Sequence, residues 1–517
     1  MLYRLLAFVV LLALVVLVQT PAKAEWFEAS GERFVIYADD DESSIRTFAS
    51  NLERFHNLLE VVTGLQPAPP PPSNRLKVYV AGSAGDVASL AGDSGVQGFY
   101  IPRVGNSVAF TPTIKMDAQT VSPTTAILRH EYTHHFFASA SPYGMPLWMS
   151  EGSAEFFGGT GFDEDGNGFS GIYVRDNFVE LYEAASNGIQ IGRLLAQDPS
   201  SFSGRLNRSA FYAQSWRLYW VLSLNEERDG QLRDYWSEVA KGTPSVEAGG
   251  KAFGSLAALS REMGKSFRSW DWQQSLMTPA NETQPGKVTL RKMSAGEVEM
   301  MAITMRLQRG VQQAEAVELA SKARKVAAKH PDDARVILTL AQAELAADMN
   351  GSAIAAADRA TALNPDLGDA YVYKGLAQFR EARATPNSAA KQLAYKNALT
   401  TFEILQSVEP DHPIALQSVF RFYAEQNLDP PLKARKALAK AAALAPFDRE
   451  LALINGMNHL HFGEIADARQ AVQPLASDPH AGEKSEQARS LLGFLSTKKE
   501  GEAVPVLEAI ADYFASE

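Results

Sequence analysis

The feature that most constrains the fold lies in the second half of the chain. Pro331, Pro365, Pro410, Pro446 and Pro479 stand 34, 45, 36 and 33 residues apart. An alanine precedes each of them, twelve residues ahead at Ala353, Ala398 and Ala434 and eleven ahead at Ala320 and Ala468. The intervening sequence is rich in Ala and Leu and helical in texture. Proline cannot continue a helix, so it closes the second helix of a pair, and the small residue marks where the paired helices approach closely. The period predicts stacked helical hairpins, each burying its apolar face against the next. The 45-residue interval predicts an insertion of 11 over a 34-residue unit, around Arg380 to Lys391. An irregular helical bundle is the alternative.

Within this region Asp369-Ala370-Tyr371-Val372-Tyr373-Lys374-Gly375 sets a large aromatic four residues before a small residue. The segment resembles the first helix of a tetratricopeptide (TPR) repeat. The resemblance covers residues 310–512 and implies an all-α, TPR-like solenoid whose concave surface takes a protein partner or substrate.

A chain of 517 residues exceeds what one core usually serves, so further units are expected upstream. Residues 33–37 and 76–80 read as short strands, 42–62 as a helix between them, and 108–110 as a third strand. Ser122-Pro123 opens a helix that ends before Pro142 and Gly144, and a second helix runs from near Pro146 to Gly158-Gly159. More helix than strand is expected from 159 to 281, with aromatic-rich stretches at 211–224 and 270–272. The proline-bearing stretch 278–286 opens a linker, giving the division 1–24 signal peptide, 25–280 first domain, 281–309 linker and 310–512 repeats.

The signal peptide rests on one positive charge in residues 1–4, an unbroken apolar run from Leu5 to Val18, and Ala22-Lys23-Ala24 before an expected cleavage at Glu25. A retained anchor is the alternative, but fourteen apolar residues fall short of the ~20 of a spanning helix. The protein is therefore expected to be exported, periplasmic or secreted, with no stable membrane span after cleavage. With Arg4 and Lys23 removed, 47 basic side chains face 60 acidic ones, a net charge of −13. This balance, with no concentrated basic segment, argues against a nucleic-acid partner. The absence of cysteine excludes disulfides, thiolate ligands and a cysteine nucleophile, so a bound metal must use His and carboxylate.

His130-Glu131-Tyr132-Thr133-His134 satisfies H-E-x-x-H inside the first of the two helices. A four-residue separation stacks both imidazoles on one face, where they can share one ion. Glu131, offset by one position, lies beside such an ion and suits a general base. With nine histidines in the chain the pattern alone is weak, and the bland reading is a helix of partly buried, satisfied histidines. The next helix adds Glu151, with sixteen residues between it and His134. Two histidines and a carboxylate leave a fourth position open, as in hydrolytic zinc sites. Gly152 and Ala154 are small enough for the two helices to pack closely. Glu155, one turn beyond Glu151, is placed to fix the tautomer of a ligand histidine.

Together His130-Glu131-x-x-His134 and Trp148-Met149-Ser150-Glu151-Gly152-Ser153-Ala154 resemble the gluzincin metallopeptidases, whose second helix reads W-L-x-E-G-x-A; Met149 departs from it. The likeness spans about 120–225. It implies an α+β zincin-like metallopeptidase domain, Zn2+ bound by His130, His134 and Glu151, and Glu131 as general base in peptide-bond hydrolysis. No G-x-M-E-N type segment precedes His130, which argues against aminopeptidase activity and for an endopeptidase. The resemblance also makes Tyr212, in Phe211-Tyr212-Ala213-Gln214-Ser215-Trp216, the candidate oxyanion donor, with Tyr219 and Arg217 behind it.

Asp163-Glu164-Asp165-Gly166-Asn167-Gly168 has the alternating oxygens of a calcium loop, but Val174 at the twelfth position cannot supply the bidentate carboxylate, so a tight turn between strands is expected. His135 is expected to point away from the metal face, and Trp216, Tyr219 and Trp220 to lie in a core. Two further readings stay open. In one, a catalytically weak binding or assembly protein relies on its repeats; in the other, a zinc hydrolase acts on a non-peptide amide or ester.

Overall fold

The computed structural model describes residues 25–516 apart from 95, 97, 114–120, 142, 175–190, 197–204, 269–274, 387 and 477–482. The expected signal segment, the aromatics at 270–272, Pro142 and Pro479 lie outside the described residues.

The first half begins with β1 (Trp26–Ser30), β2 (Phe34–Asp39), α1 (Glu42–Thr63), β3 (Leu76–Val80), α2 (Ala84–Ala91), β4 (Phe99–Ile101) and β5 (Val108–Thr111). The helices α3 (Pro123–Ala140) and α4 (Leu147–Gly158) follow, then the small strands β6 (Gly161–Phe162) and β7 (Gly168–Ser170). After them come α5 (Ile191–Ala196), α6 (Arg205–Leu224), α7 (Gln231–Ala240), α8 (Ser245–Phe253), α9 (Leu256–Arg268), β8 (Leu276–Thr278) and β9 (Thr289–Lys292).

The main sheet has the order β4-β5-β3-β2-β1-β9. Strands β2, β3 and β5 are parallel, while β1, β9 and β4 run antiparallel to their neighbours. Parallel strands are apolar on both sides because both faces are covered. On one face Ile36, Val78 and Ala109 pack against α1 and α3 through Phe55, Leu59, Leu128 and Phe136. On the other, Tyr37, Tyr79, Phe110 and Phe99 form a ladder across the strands, with successive ring centroids 5.0, 5.5 and 4.8 Å apart.

The second half is a run of helices: α10 (Ala295–Arg309), α11 (Gln313–Lys329), α12 (Ala334–Ala346), α13 (Asn350–Leu363), α14 (Gly368–Ala384) and α15 (Ser388–Val408). It continues with α16 (Pro413–Ala424), α17 (Leu432–Leu444), α18 (Arg449–His461), α19 (Ile465–Ala476), α20 (Glu483–Ser496) and α21 (Leu507–Ser516). Helices α11, α13, α15 and α17 each stop two residues before Pro331, Pro365, Pro410 and Pro446. The five periodic alanines, 320, 353, 398, 434 and 468, lie on the second helix of their pairs and are fully buried. The long interval is taken up by longer helices, 17 residues in α14 and 21 in α15.

The stretch 281–309, expected to be a linker, is instead structural. Strand β9 forms the sixth strand of the sheet, pairing with β1. Helix α10 is the first helix of the repeat array, and its Met301, with Met293 ahead of it, covers the aromatic face of the sheet. Removing that face from water is what ties the two halves together. Polar contacts add to the joint: Lys77 to Asp369 at 3.1 Å, the Asn74 amide to the Leu444 carbonyl at 2.7 Å, and the Val104 N–H to Asp448 at 2.7 Å. Among the described residues no helix is long and apolar enough to cross a membrane.

Candidate metal centre

Ser122 caps α3 by accepting from the Thr125 N–H, and Pro123 occupies the first helical position, where its missing N–H costs nothing. Leu128, Tyr132 and Phe136 form the buried stripe of this helix against the sheet. His130 and His134 project from the other side, toward α4. Helix α4 is buried almost throughout. The indole N–H of Trp148 donates to the Tyr235 hydroxyl at 2.8 Å and pins its first turn.

The close approach of α3 and α4 is made by Gly158, whose absent Cβ would meet the Ala126 carbonyl oxygen at 3.1 Å and the His130 Cβ at 3.5 Å. Gly152, expected to serve that contact, instead faces α6: a Cβ there would stand 2.5 Å from the Ser215 carbonyl oxygen. A side chain at either glycine would push apart helices that carry the site.

Three ligating atoms converge between these helices. His130 Nε2 and His134 Nε2 are 3.2 Å apart, and Glu151 Oε2 lies 3.5 and 3.6 Å from them. A tetrahedral ion with bonds of about 2.0–2.1 Å to nitrogen and oxygen requires ligand edges of roughly 3.3–3.4 Å. The triangle matches those edges, so the residues present fit Zn2+.

The other ring nitrogens are also engaged: His130 Nδ1 lies 3.4 Å from Glu155 Oε1, and His134 Nδ1 lies 3.1 Å from the Ser150 hydroxyl. Partners at Nδ1 set the tautomer that leaves Nε2 free to ligate. Glu155 was a sequence expectation; Ser150, one residue before Glu151, was missed, although its place in the same helical turn is the signal. Burial acts to lower the pKa of His130, but the Glu151 hydrogen bond and the charges of Glu155 and Glu131 outweigh it, and the pKa is raised. A pocket that favours a proton in this way also favours a cation.

Tyr212, on α6, has its ring centroid 6.4 Å from that of His130. Tyr219 is buried against Phe156 and Phe157, and the Arg217 guanidinium lies 4.2 Å from the Trp220 ring, which places both in the core with Trp216. His135 points away from the three ligating atoms: its Nδ1 is 2.6 Å from the Tyr100 hydroxyl, and its ring lies 4.6 Å from that of Phe447 in the repeats, tilted by 42°. Residues 163–167 form a turn between β6 and β7, closed by Asp163 accepting from the Asn167 N–H at 2.7 Å, with Gly166 at φ 85°.

Beside the triangle lies a cavity of about 680 Å³. Glu131, His134, Ser150 and Met145 form one wall, and residues of α17, α18 and α19 form the other. Tyr212 is not part of either wall. No local motif could have shown that the repeats face this site. A second His and carboxylate group, His459, Glu464 and Asp467, is also close-set. There Glu464 already pairs with Arg435 and lies 2.6 Å from His459 Nδ1, so the group reads as an ion-pair network.

No protein-family model and no curated protein matches the chain. Among solved structures, a thermophilic TPR protein of Thermus thermophilus, TTC0263, is 16% identical; the match covers 38% of this chain and 99% of that one, with a TM-score of 0.34. The MamA RS-1 ArsTM double mutant is 17% identical, with 38% and 97% covered and a TM-score of 0.27.

Proposed function

We propose that this chain is a zinc-dependent peptidase, an endopeptidase with a zincin-like first half. The observation that carries the reading is the His130, His134 and Glu151 triangle, with edges of 3.2 to 3.6 Å that suit one tetrahedral ion. When bound, zinc would supply Lewis acidity, polarising a scissile carbonyl and acidifying water. Glu131, at the cavity wall beside His134, takes the proton of the attacking water and delivers it to the leaving amine. Glu155 and Ser150 hold the two imidazoles in the ligating tautomer. Tyr212, against His130, is the proposed oxyanion donor. Export belongs to this proposal, as does hydrolysis of a protein or peptide substrate.

A second reading, a binding or assembly protein acting through its repeats, draws on the TPR-like array, since stacked helix pairs suit protein partners. The Glu131→Gln variant separates the two. The peptidase reading expects it to keep zinc while turnover on unfolded protein falls about 10²- to 10⁴-fold. Wild-type turnover in zinc-loaded Glu131→Gln protein would overturn that assignment.

A further inference from the structure

The cavity beside Glu131 and His134 belongs to both halves of the molecule, and its repeat wall has an unusual character. Small side chains at Ala439, Ala442, Ala452 and Ala471 leave the space open, and Phe137, Trp236 and Phe447 give it apolar sides. The lining also carries Asp467 and Gln470, both exposed on α19, and one buried amide, Asn455 of α18. It is only 9% exposed, and its side-chain oxygen has no hydrogen-bond partner. A buried acceptor left unpaired is costly, so an occupant that donates to it is favoured.

We infer that this cavity is the substrate cleft for an extended polypeptide, and that Asn455 binds it by accepting a main-chain N–H. The inference deepens the peptidase reading and rests on it. Three observations choose the occupant. An extended chain offers an N–H at each residue that could meet the unpaired Asn455 oxygen, and apolar walls accommodate its side chains. A volume of about 680 Å³ falls within the ~300–1,000 Å³ of ligand pockets, enough for a few residues and too small for a folded domain. The cleft also runs directly to Glu131 and His134, where a bond would be cut. The repeats would then form half of the active-site cleft and set which sequences enter it.

The test uses the full-length mature chain carrying Glu131→Gln, so that binding is measured without turnover, and fluorescein-labelled casein as an unfolded probe. Fluorescence anisotropy is read with Asn455→Ala and, separately, Ala443→Trp, which adds bulk to an exposed position of the cavity wall. Loss of one buried hydrogen bond predicts about five- to tenfold weaker binding for Asn455→Ala. The filled cleft should lose at least as much, with zinc content and circular dichroism unchanged in both. Unaltered affinity in both variants, or no casein binding by the parent, overturns the inference. Zinc content and turnover of the wild-type chain are scored separately, so an empty metal site would sink the peptidase reading by a different measurement.

Discussion

In the repeat array each helix packs chiefly on its sequence neighbours, whereas the sheet pairs residues as distant as Glu28 and Arg291. The first kind of order is local, and the second requires the chain to close long loops before any contact is gained. The candidate metal site belongs to the second kind: α3 is seated on β4, β5 and Phe34 of β2, and α4 is seated by α6 and α7. The cavity beside it needs both kinds at once, because α17 to α19 form its far wall. All seven tryptophans lie between residues 26 and 272, so indole fluorescence follows the first half, while far-UV circular dichroism is dominated by helix across the whole chain.

The sharpest break between the halves is expected from Glu155→Gln. Losing the carboxylate beside His130 Nδ1 should weaken zinc binding about 10- to 100-fold by competition titration, with the repeats untouched. Next, Gly152→Ala forces a methyl against the Ser215 carbonyl and should cost about 1–3 kcal/mol. The tryptophan transition in urea should move to lower concentration by more than the dichroism transition does.

The linker expectation failed for an instructive reason. Strand β9 is four residues long, and its partner lies at the other end of the domain, so nothing near it in sequence marks it as a strand. Helix α10 was missed as well, although its signal is local: Ser294 and Glu297 form a capping box, S-x-x-E, ahead of an apolar run. Strands β2, β3 and β5 and helices α1, α3 and α4 were readable because each carries a clear period or cap. Strands β1 and β4, three to five residues each, were not. At the site, the H-E-x-x-H spacing and Glu151 placed the triangle, since helix geometry is local. The cavity was invisible because its second wall lies some 300 residues further along.

A pH experiment sharpens the comparison. His56 on α1 is buried, with Nδ1 2.6 Å from the Tyr132 hydroxyl. Burial, with the charge of Arg33 and of His135, lowers its pKa from 6.5 to about 2, and Glu60 at 3.1 Å from Nε2 does not reverse this. A depressed folded pKa means that stability is fully present above pH 6.5 and is lost as pH falls toward 2. One such proton contributes up to about 1.4 kcal/mol per pH unit. Denaturant midpoints between pH 7.5 and 5 should therefore fall less steeply in His56→Asn when followed by tryptophan fluorescence. The smallest effect is expected from Ser294→Ala, which removes the cap of α10 and should cost about 1 kcal/mol. Because α10 covers the aromatic face of the sheet, both spectroscopic transitions should shift together; a shift in dichroism alone would mean the halves are less coupled than the packing implies.

The central claim is that His130, His134 and Glu151 form one metal site, and zinc content tests it most directly. The purified protein, dialysed against buffer with trace zinc, should hold one equivalent by atomic emission, and His130→Ala should hold almost none while keeping its circular dichroism. Absence of zinc from both proteins, or an equal content in both, would contradict the account.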